Sequence, residues 1–153
     1  MIKRAAVIGA GTMGAGIAAQ LANAGVPCLL LDIVPAGLSE EEAGDRRARS
    51  RLAIEAVDRM VKGRPPGFMS AANQALVQTG NIEDDLGKIA DCDWIVEAVP
   101  ERLDIKRDLY AKIAALRAPN AIVSSNTSGL SLNVLTEGFD DGFRSHFIIT
   151  HFF

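Results

Sequence analysis

Short apolar runs alternate along this chain with stretches whose apolar positions recur every three to four residues, and that alternation predicts strands separated by helices. A first strand is expected over about 4–8, a helix over 12–23 and a second strand over 28–31, with Gly25 placed for a left-handed cap between helix and strand. Ser39-Glu40-Glu41-Glu42 reads as a helix start with a capping box, and Leu52, Ile54, Ala56, Val57 and Met60 would carry one helix to about residue 61. Lys62-Gly63-Arg64-Pro65-Pro66-Gly67 must end it, because two prolines and two glycines cannot continue a helix. A short helix near 70–73, a strand over 76–79, a short helix opened by Glu83-Asp84-Asp85 and a strand at Trp94-Ile95-Val96 should follow. An amphipathic helix over 103–116, a strand over 121–124, a short helix over 132–135 and a last strand over 147–150 complete the pattern. Such alternation with right-handed crossovers specifies an α/β fold: a doubly wound, mostly parallel sheet with a helical insertion after the second strand, residues 1–153 forming one domain.

One turn in this pattern carries specific chemistry. Gly9-Ala10-Gly11-Thr12-Met13-Gly14 is a G-x-G-x-x-G that follows an apolar strand and opens a helix, the context of a Rossmann dinucleotide site. Gly9 permits the tight turn, Gly11 admits the backbone to a pyrophosphate, and Gly14 lets helix and strand pack closely, while Thr12 and Met13 begin the helix whose free N–H groups face the phosphates. Cys28-Leu29-Leu30-Leu31 ends in Asp32, where a carboxylate would accept from the adenosine ribose. That carboxylate would repel a 2′-phosphate, and Ile33-Val34-Pro35-Ala36-Gly37 offers no Arg or Lys to compensate, so NAD is expected rather than NADP. Without a ligand, the same residues read as a tight turn and a solvated strand end.

Composition narrows the function classes. A formal charge of −3 and no basic stripe argue against nucleic acid, although Arg46, Arg47, Arg49 and Arg51 form a cluster that could serve a smaller anion. No apolar run approaches a membrane span and the chain opens directly into its first strand, so a cytoplasmic protein is expected. Cys28 and Cys92 form neither a C-x-x-C motif nor a metal cluster; both read as reduced thiols, and no metal site is expected.

Ligands of an open parallel sheet bind beyond the carboxyl ends of its strands. The loops there carry Glu97-Ala98-Val99-Pro100-Glu101, Ser124-Ser125-Asn126-Thr127-Ser128 and His151. Together with the glycine loop, Val96-Glu97-Ala98, Ser125-Asn126-Thr127-Ser128 and Thr150-His151-Phe152-Phe153 resemble the NAD-binding domain of the L-3-hydroxyacyl-CoA dehydrogenase family of fatty-acid β-oxidation, through nearly the whole chain. Leu31-Asp32-Ile33-Val34-Pro35 and Gly80-Asn81-Ile82-Glu83-Asp84-Asp85 are most similar to the long bacterial members fused to an enoyl-CoA hydratase.

The resemblance implies that His151 is the catalytic base, that Ser128 hydrogen-bonds the substrate oxygen, and that Glu101 and Lys106 contact NAD near its nicotinamide end. On residue pattern alone either His146 or His151 could be structural, His146 facing away on the same strand; residues 124–128 could be only a hydrogen-bonded turn, and Glu101 with Lys106 a surface pair. Pro100 departs from many relatives. The family continues past this motif into Asn-Pro, a carboxylate that orients the histidine, and a helical domain that closes over the acyl chain and forms a homo-oligomer. The 153 residues are therefore expected to bind NAD and to turn over poorly alone. The insertion at 39–67, with its arginines and Lys62, could contact CoA phosphates and so favours an acyl-CoA substrate. Dehydrogenation of a β-hydroxy acid without CoA, and a non-catalytic NAD-binding module, are the competing readings.

Overall fold

The apolar run Ala5–Ile8 forms β1, and all four of its residues are buried because helices cover both faces of the strand. In the computed structural model, which describes residues 1–152, this strand lies at the centre of a six-stranded parallel sheet. The chain continues as α1 (Thr12–Asn23), β2 (Cys28–Asp32), α2 (Glu40–Gly44), α3 (Arg46–Arg49), α4 (Arg51–Lys62), α5 (Ala71–Gln74) and β3 (Val77–Asn81). A second half follows with α6 (Ile82–Asp85), a 3₁₀ segment (Leu86–Asp91), β4 (Trp94–Glu97), α7 (Leu103–Leu116), β5 (Ile122–Ser125), α8 (Leu132–Leu135), α9 (Asp141–Arg144) and β6 (Phe147–Ile149). The strand order β3-β2-β1-β4-β5-β6 is that of the doubly wound dinucleotide-binding fold.

Side chains alternate between two cores, as period-two strands require. Ala6, Ile8, Leu29, Leu31, Ile95 and Val123 pack against Leu109, Tyr110 and Ile113 of α7, whereas Val7, Leu30 and Val96 pack against Ala15, Ile17 and Ala18 of α1 and Ala53 and Ala56 of α4. The small residues of α1 allow close approach to the sheet. A Cβ built on Gly14 would lie 1.7 Å from the Gly9 carbonyl oxygen, so only glycine fits there.

The stretch expected as one helix over 39–61 is three. The capping box at Ser39 and Glu42 forms as expected, but Asp45 adopts extended backbone and its carboxylate accepts from the amides of Arg47 and Ala48, restarting the helix. Gly44 weakens the turn before it, so a cap outcompetes continuation. Strands β3 and β5 begin one residue later than expected and β6 ends one residue earlier, while α9, held by Asp140 accepting from the Phe143 amide, is an element the periodicity does not predict. Among the described residues no helix is long and apolar enough to cross a membrane.

Candidate functional site

Adjacent strands β1 and β4 send their chains to opposite halves of the sheet, which opens a crevice beyond their carboxyl ends. Gly9 turns there with φ 105°, in the region that favours glycine, and a Cβ on it would lie 2.5 Å from the carbonyl oxygen of Ala98. Gly11 differs: a Cβ there would meet no protein atom within 4 Å. It borders a cavity of about 680 Å³ together with Gly9, Thr12, Met13, Asp32 and Ala98. The open space over Gly11, beside the first amides of α1 that lack helical acceptors, is a cradle of the form a pyrophosphate requires.

Asp32 closes the other end of this cradle. One carboxylate oxygen accepts from the Ala10 amide at 2.6 Å and the other from the Ile33 amide at 2.7 Å, which ties the end of β2 to the glycine loop. Each oxygen has a second lone pair, so both can still accept from ribose hydroxyls. Gly9, Gly11, Thr12, Met13 and Asp32 thus surround one space, with Gly14 beneath it; these residues fit a dinucleotide.

The second cluster forms where β5 and β6 leave the sheet. The Thr150 amide donates to Ser125 O at 3.1 Å and the Phe152 amide to Asn126 Oδ1 at 2.9 Å, which holds the segment after β6 against the loop after β5. Ser128 Oγ and His151 Nε2 are consequently 3.1 Å apart. Phe152 shares a groove with Thr12 and Met13, so this pair stands beside the glycine loop. Phe153, the last residue of the quoted motif, lies outside the described residues. His146 is elsewhere: it precedes β6, and its Nδ1 lies 2.9 Å from Gly142 O, at the opposite end of the sheet. The two histidines therefore do not face opposite sides of one strand, because neither belongs to it.

Glu101 organises the loop that carries Ser128. Its Oε1 accepts from the Thr127 hydroxyl and from the amides of Gly129 at 3.2 Å and Ser128 at 3.3 Å, and its Oε2 is 3.2 Å from Lys106 Nζ. Burial would raise the Glu101 pKa, but the hydrogen bonds from Thr127, Gly129 and Lys106 outweigh it and hold the carboxyl at about 2. Its side chain stays 43% exposed and can meet a ligand.

Lys106 is enclosed at the base of this loop. Its side chain is 0% exposed, and its ammonium lies 2.8 and 2.9 Å from the oxygens of Glu97 and 3.2 Å from Glu101 Oε2. Glu97 itself, not among the residues singled out for the site, is fully buried and also accepts from Tyr110, Ser125 and the Val99 amide. Burial and the neighbouring Glu97 charge push the Tyr110 phenol up, so it remains a donor. One signal was available: a carboxylate ending the apolar run Trp94-Ile95-Val96 must be enclosed wherever that strand is covered on both faces.

Three of the four clustered arginines are engaged by carboxylates. Arg46 pairs with Asp85, Arg49 with Glu83 and Asp84 at 2.9 and 2.7 Å, and Arg51 with Glu42 at 3.5 Å; the acidic turn after β3 takes up the charge of Arg46 and Arg49. Burial drives the thiol of Cys28 up to about 12 and that of Cys92 to about 11, which keeps both protonated and unreactive.

A family model described as "3-hydroxyacyl-CoA dehydrogenase, NAD binding domain" matches residues 4–153. Proteins of Deinococcus radiodurans and Bacillus subtilis, both provisionally named 3-hydroxyacyl-CoA dehydrogenases, are 48% and 46% identical over 99% of the chain, which spans 42% and 20% of their lengths. A Rickettsia felis protein provisionally named a fatty acid oxidation complex trifunctional enzyme is 40% identical over 99% of the chain, which spans 20% of it. The crystal structure of 3-hydroxybutyryl-CoA dehydrogenase from Escherichia coli matches the whole chain with a TM-score of 0.74 at 27% identity, the chain covering 30% of that structure.

Proposed function

Since this chain belongs to the family of 3-hydroxyacyl-CoA dehydrogenase NAD-binding domains, we propose that it is the cofactor domain of an enzyme interconverting (S)-3-hydroxyacyl-CoA and 3-oxoacyl-CoA in fatty-acid β-oxidation. The observation that carries this reading is the 3.1 Å approach of Ser128 Oγ to His151 Nε2 beside a glycine loop shaped for a dinucleotide. Bound NAD supplies the hydride acceptor for C3 of the substrate. His151 removes the proton of the 3-hydroxyl, a transfer for which an imidazole is suited near neutral pH. Ser128 donates to the same oxygen as it becomes a carbonyl and accepts from it in the alcohol, so one hydroxyl serves both directions. Glu101 keeps Ser128 in place through the loop amides, and Asp32 selects the unphosphorylated ribose by charge.

The complete protein, in this reading, adds a domain that closes over the acyl chain, forms a homo-oligomer and is fused to an enoyl-CoA hydratase; the name of the trifunctional relative supports the fusion. A cytoplasmic location accords with two protonated, unpaired thiols. The test is oxidation of NADH by acetoacetyl-CoA, with the complete gene product and residues 1–153 assayed side by side and acetoacetate as the CoA-free control. Turnover of the thioester by the complete protein, little by the 153 residues and little with acetoacetate, is the expected result. Equal turnover of both substrates would overturn the CoA assignment, and none with either would leave a binding module.

A further inference from the structure

Glu97 and Lys106 form a fully buried ion pair that the proposed reaction leaves without a role. Glu97, the last residue of β4, is 0% exposed, and the hydrogen bonds it accepts come from three segments that border the site. Oε1 accepts from the Val99 amide and from Lys106 Nζ, both at 2.8 Å. Oε2 accepts from Tyr110 Oη at 2.5 Å, Ser125 Oγ at 2.6 Å and Lys106 Nζ at 2.9 Å. Val99 lines the cofactor crevice. Ser125 ends β5 directly before the loop that carries Ser128, and its carbonyl receives the amide of Thr150, the residue before His151. Lys106 continues to Glu101, which holds the amides of Ser128 and Gly129.

Enclosing a carboxylate and an ammonium is costly, and apolar side chains of similar volume would hold α7 on the sheet as well. What apolar side chains cannot do is fix the relative position of three separate segments by directional bonds. The main chain of Glu97 adds a fourth link, since its carbonyl accepts from Asn126 N at 2.8 Å and Asn126 Oδ1 accepts from Phe152 N. We propose that Glu97, with Lys106 as its counter-ion, is a positioning residue that sets the Ser128–His151 pair against the cofactor crevice. The inference rests on the dehydrogenase reading for its consequence in turnover but on the apo geometry for its mechanism.

The experiment uses the complete gene product as wild type, Glu97→Gln and Ser125→Ala, each with and without Ser128→Ala. Glutamine keeps the length of the side chain but replaces an acceptor by a donor. Ser125→Ala severs only the link to the loop and leaves Glu97 paired with Lys106 and Tyr110, so it remains informative where Glu97→Gln does not fold. Glu97→Gln is expected to lower kcat about ten- to a hundredfold with KM for the thioester little changed, and Ser125→Ala to act in the same direction. On the Ser128→Ala background either substitution should cost less than about threefold more, because both act through the same pair. In the cofactor-free protein, hydrogen exchange at the amides of residues 125–129 should rise while α1 is unchanged. Full turnover, independent multiplication with Ser128→Ala, or unchanged exchange in that loop would overturn the inference. An inactive wild type would instead remove the dehydrogenase reading and leave exchange to decide the positioning role.

Discussion

Alanine at Gly14 and alanine at Gly11 add the same methyl group to one loop with opposite consequences. At Gly14 the new carbon would sit 1.7 Å from the Gly9 oxygen and 2.9 Å from its carbonyl carbon. Restoring even a 3.0 Å separation requires α1 to retreat by at least about 1.3 Å. Both colliding atoms are backbone at a turn with φ 105°, so a rotamer change cannot relieve them. The retreat would also open gaps under Ala15 and Ala18, whose small side chains pack with Val7, Leu30 and Val96 of the sheet. Overpacking of this kind costs about 1–3 kcal/mol, and an immovable partner puts Gly14→Ala at the upper end. Gly11 has φ −67° and ψ −172°, accessible to alanine, and its Cβ would enter open space. Its cost is the poorer helix cap, about 0.5–1 kcal/mol. Its methyl would, however, occupy the crevice where a pyrophosphate approaches the backbone, and NADH affinity should fall at least about tenfold, or ~1.4 kcal/mol. Urea unfolding followed through the single tryptophan, Trp94, measures the first effect, and calorimetric titration with NADH measures the second. Gly14→Ala within about 0.5 kcal/mol of wild type, or Gly11→Ala with undiminished affinity, would refute this geometry.

Lys106→Met should destabilise the fold by about 3–5 kcal/mol in urea unfolding, because it leaves the enclosed Glu97 side chain without its ion-pair partner. Asp32→Asn should weaken NAD binding and narrow the preference over NADP when both dissociation constants are measured, since the ribose acceptor and the repulsive charge go together. Glu101 is held at about 2, below the roughly 4.3 of an unfolded glutamate, so its contribution to stability is complete above pH of about 4.3 and is lost as pH falls towards 2. Unfolding midpoints at pH 5 and pH 3 should therefore differ less in Glu101→Gln than in wild type.

Elements specified by local chemistry were readable in the sequence. The glycine loop, α1, α7, α8 and the capping box at Ser39 occur where apolar period and cap residues put them. The break at Asp45 was obscured because the apolar positions of 52–60 continue the helical period, while the competition that ends α2 is a single carboxylate accepting two amides. Of the site, Asp32 and the Ser128–His151 approach follow from strand ends and loops that converge on one edge of a parallel sheet. The state of Lys106 does not follow, because Lys106-Arg107-Asp108 reads as an exposed helical turn until Glu97, from another strand, supplies a buried partner. The pairing of Arg46 and Arg49 is hidden for the same reason: their carboxylate partners at 83–85 lie more than thirty residues on.

The most direct test compares the complete gene product with its His151→Ala variant in acetoacetyl-CoA-dependent NADH oxidation, alongside NADH affinity. Proton transfer at His151 predicts a loss of about 10²–10⁴-fold in kcat with affinity for NADH changed by less than about twofold. Turnover that survives the substitution would contradict it, and a loss of affinity equal to the loss of turnover would make His151 a binding residue instead of the base.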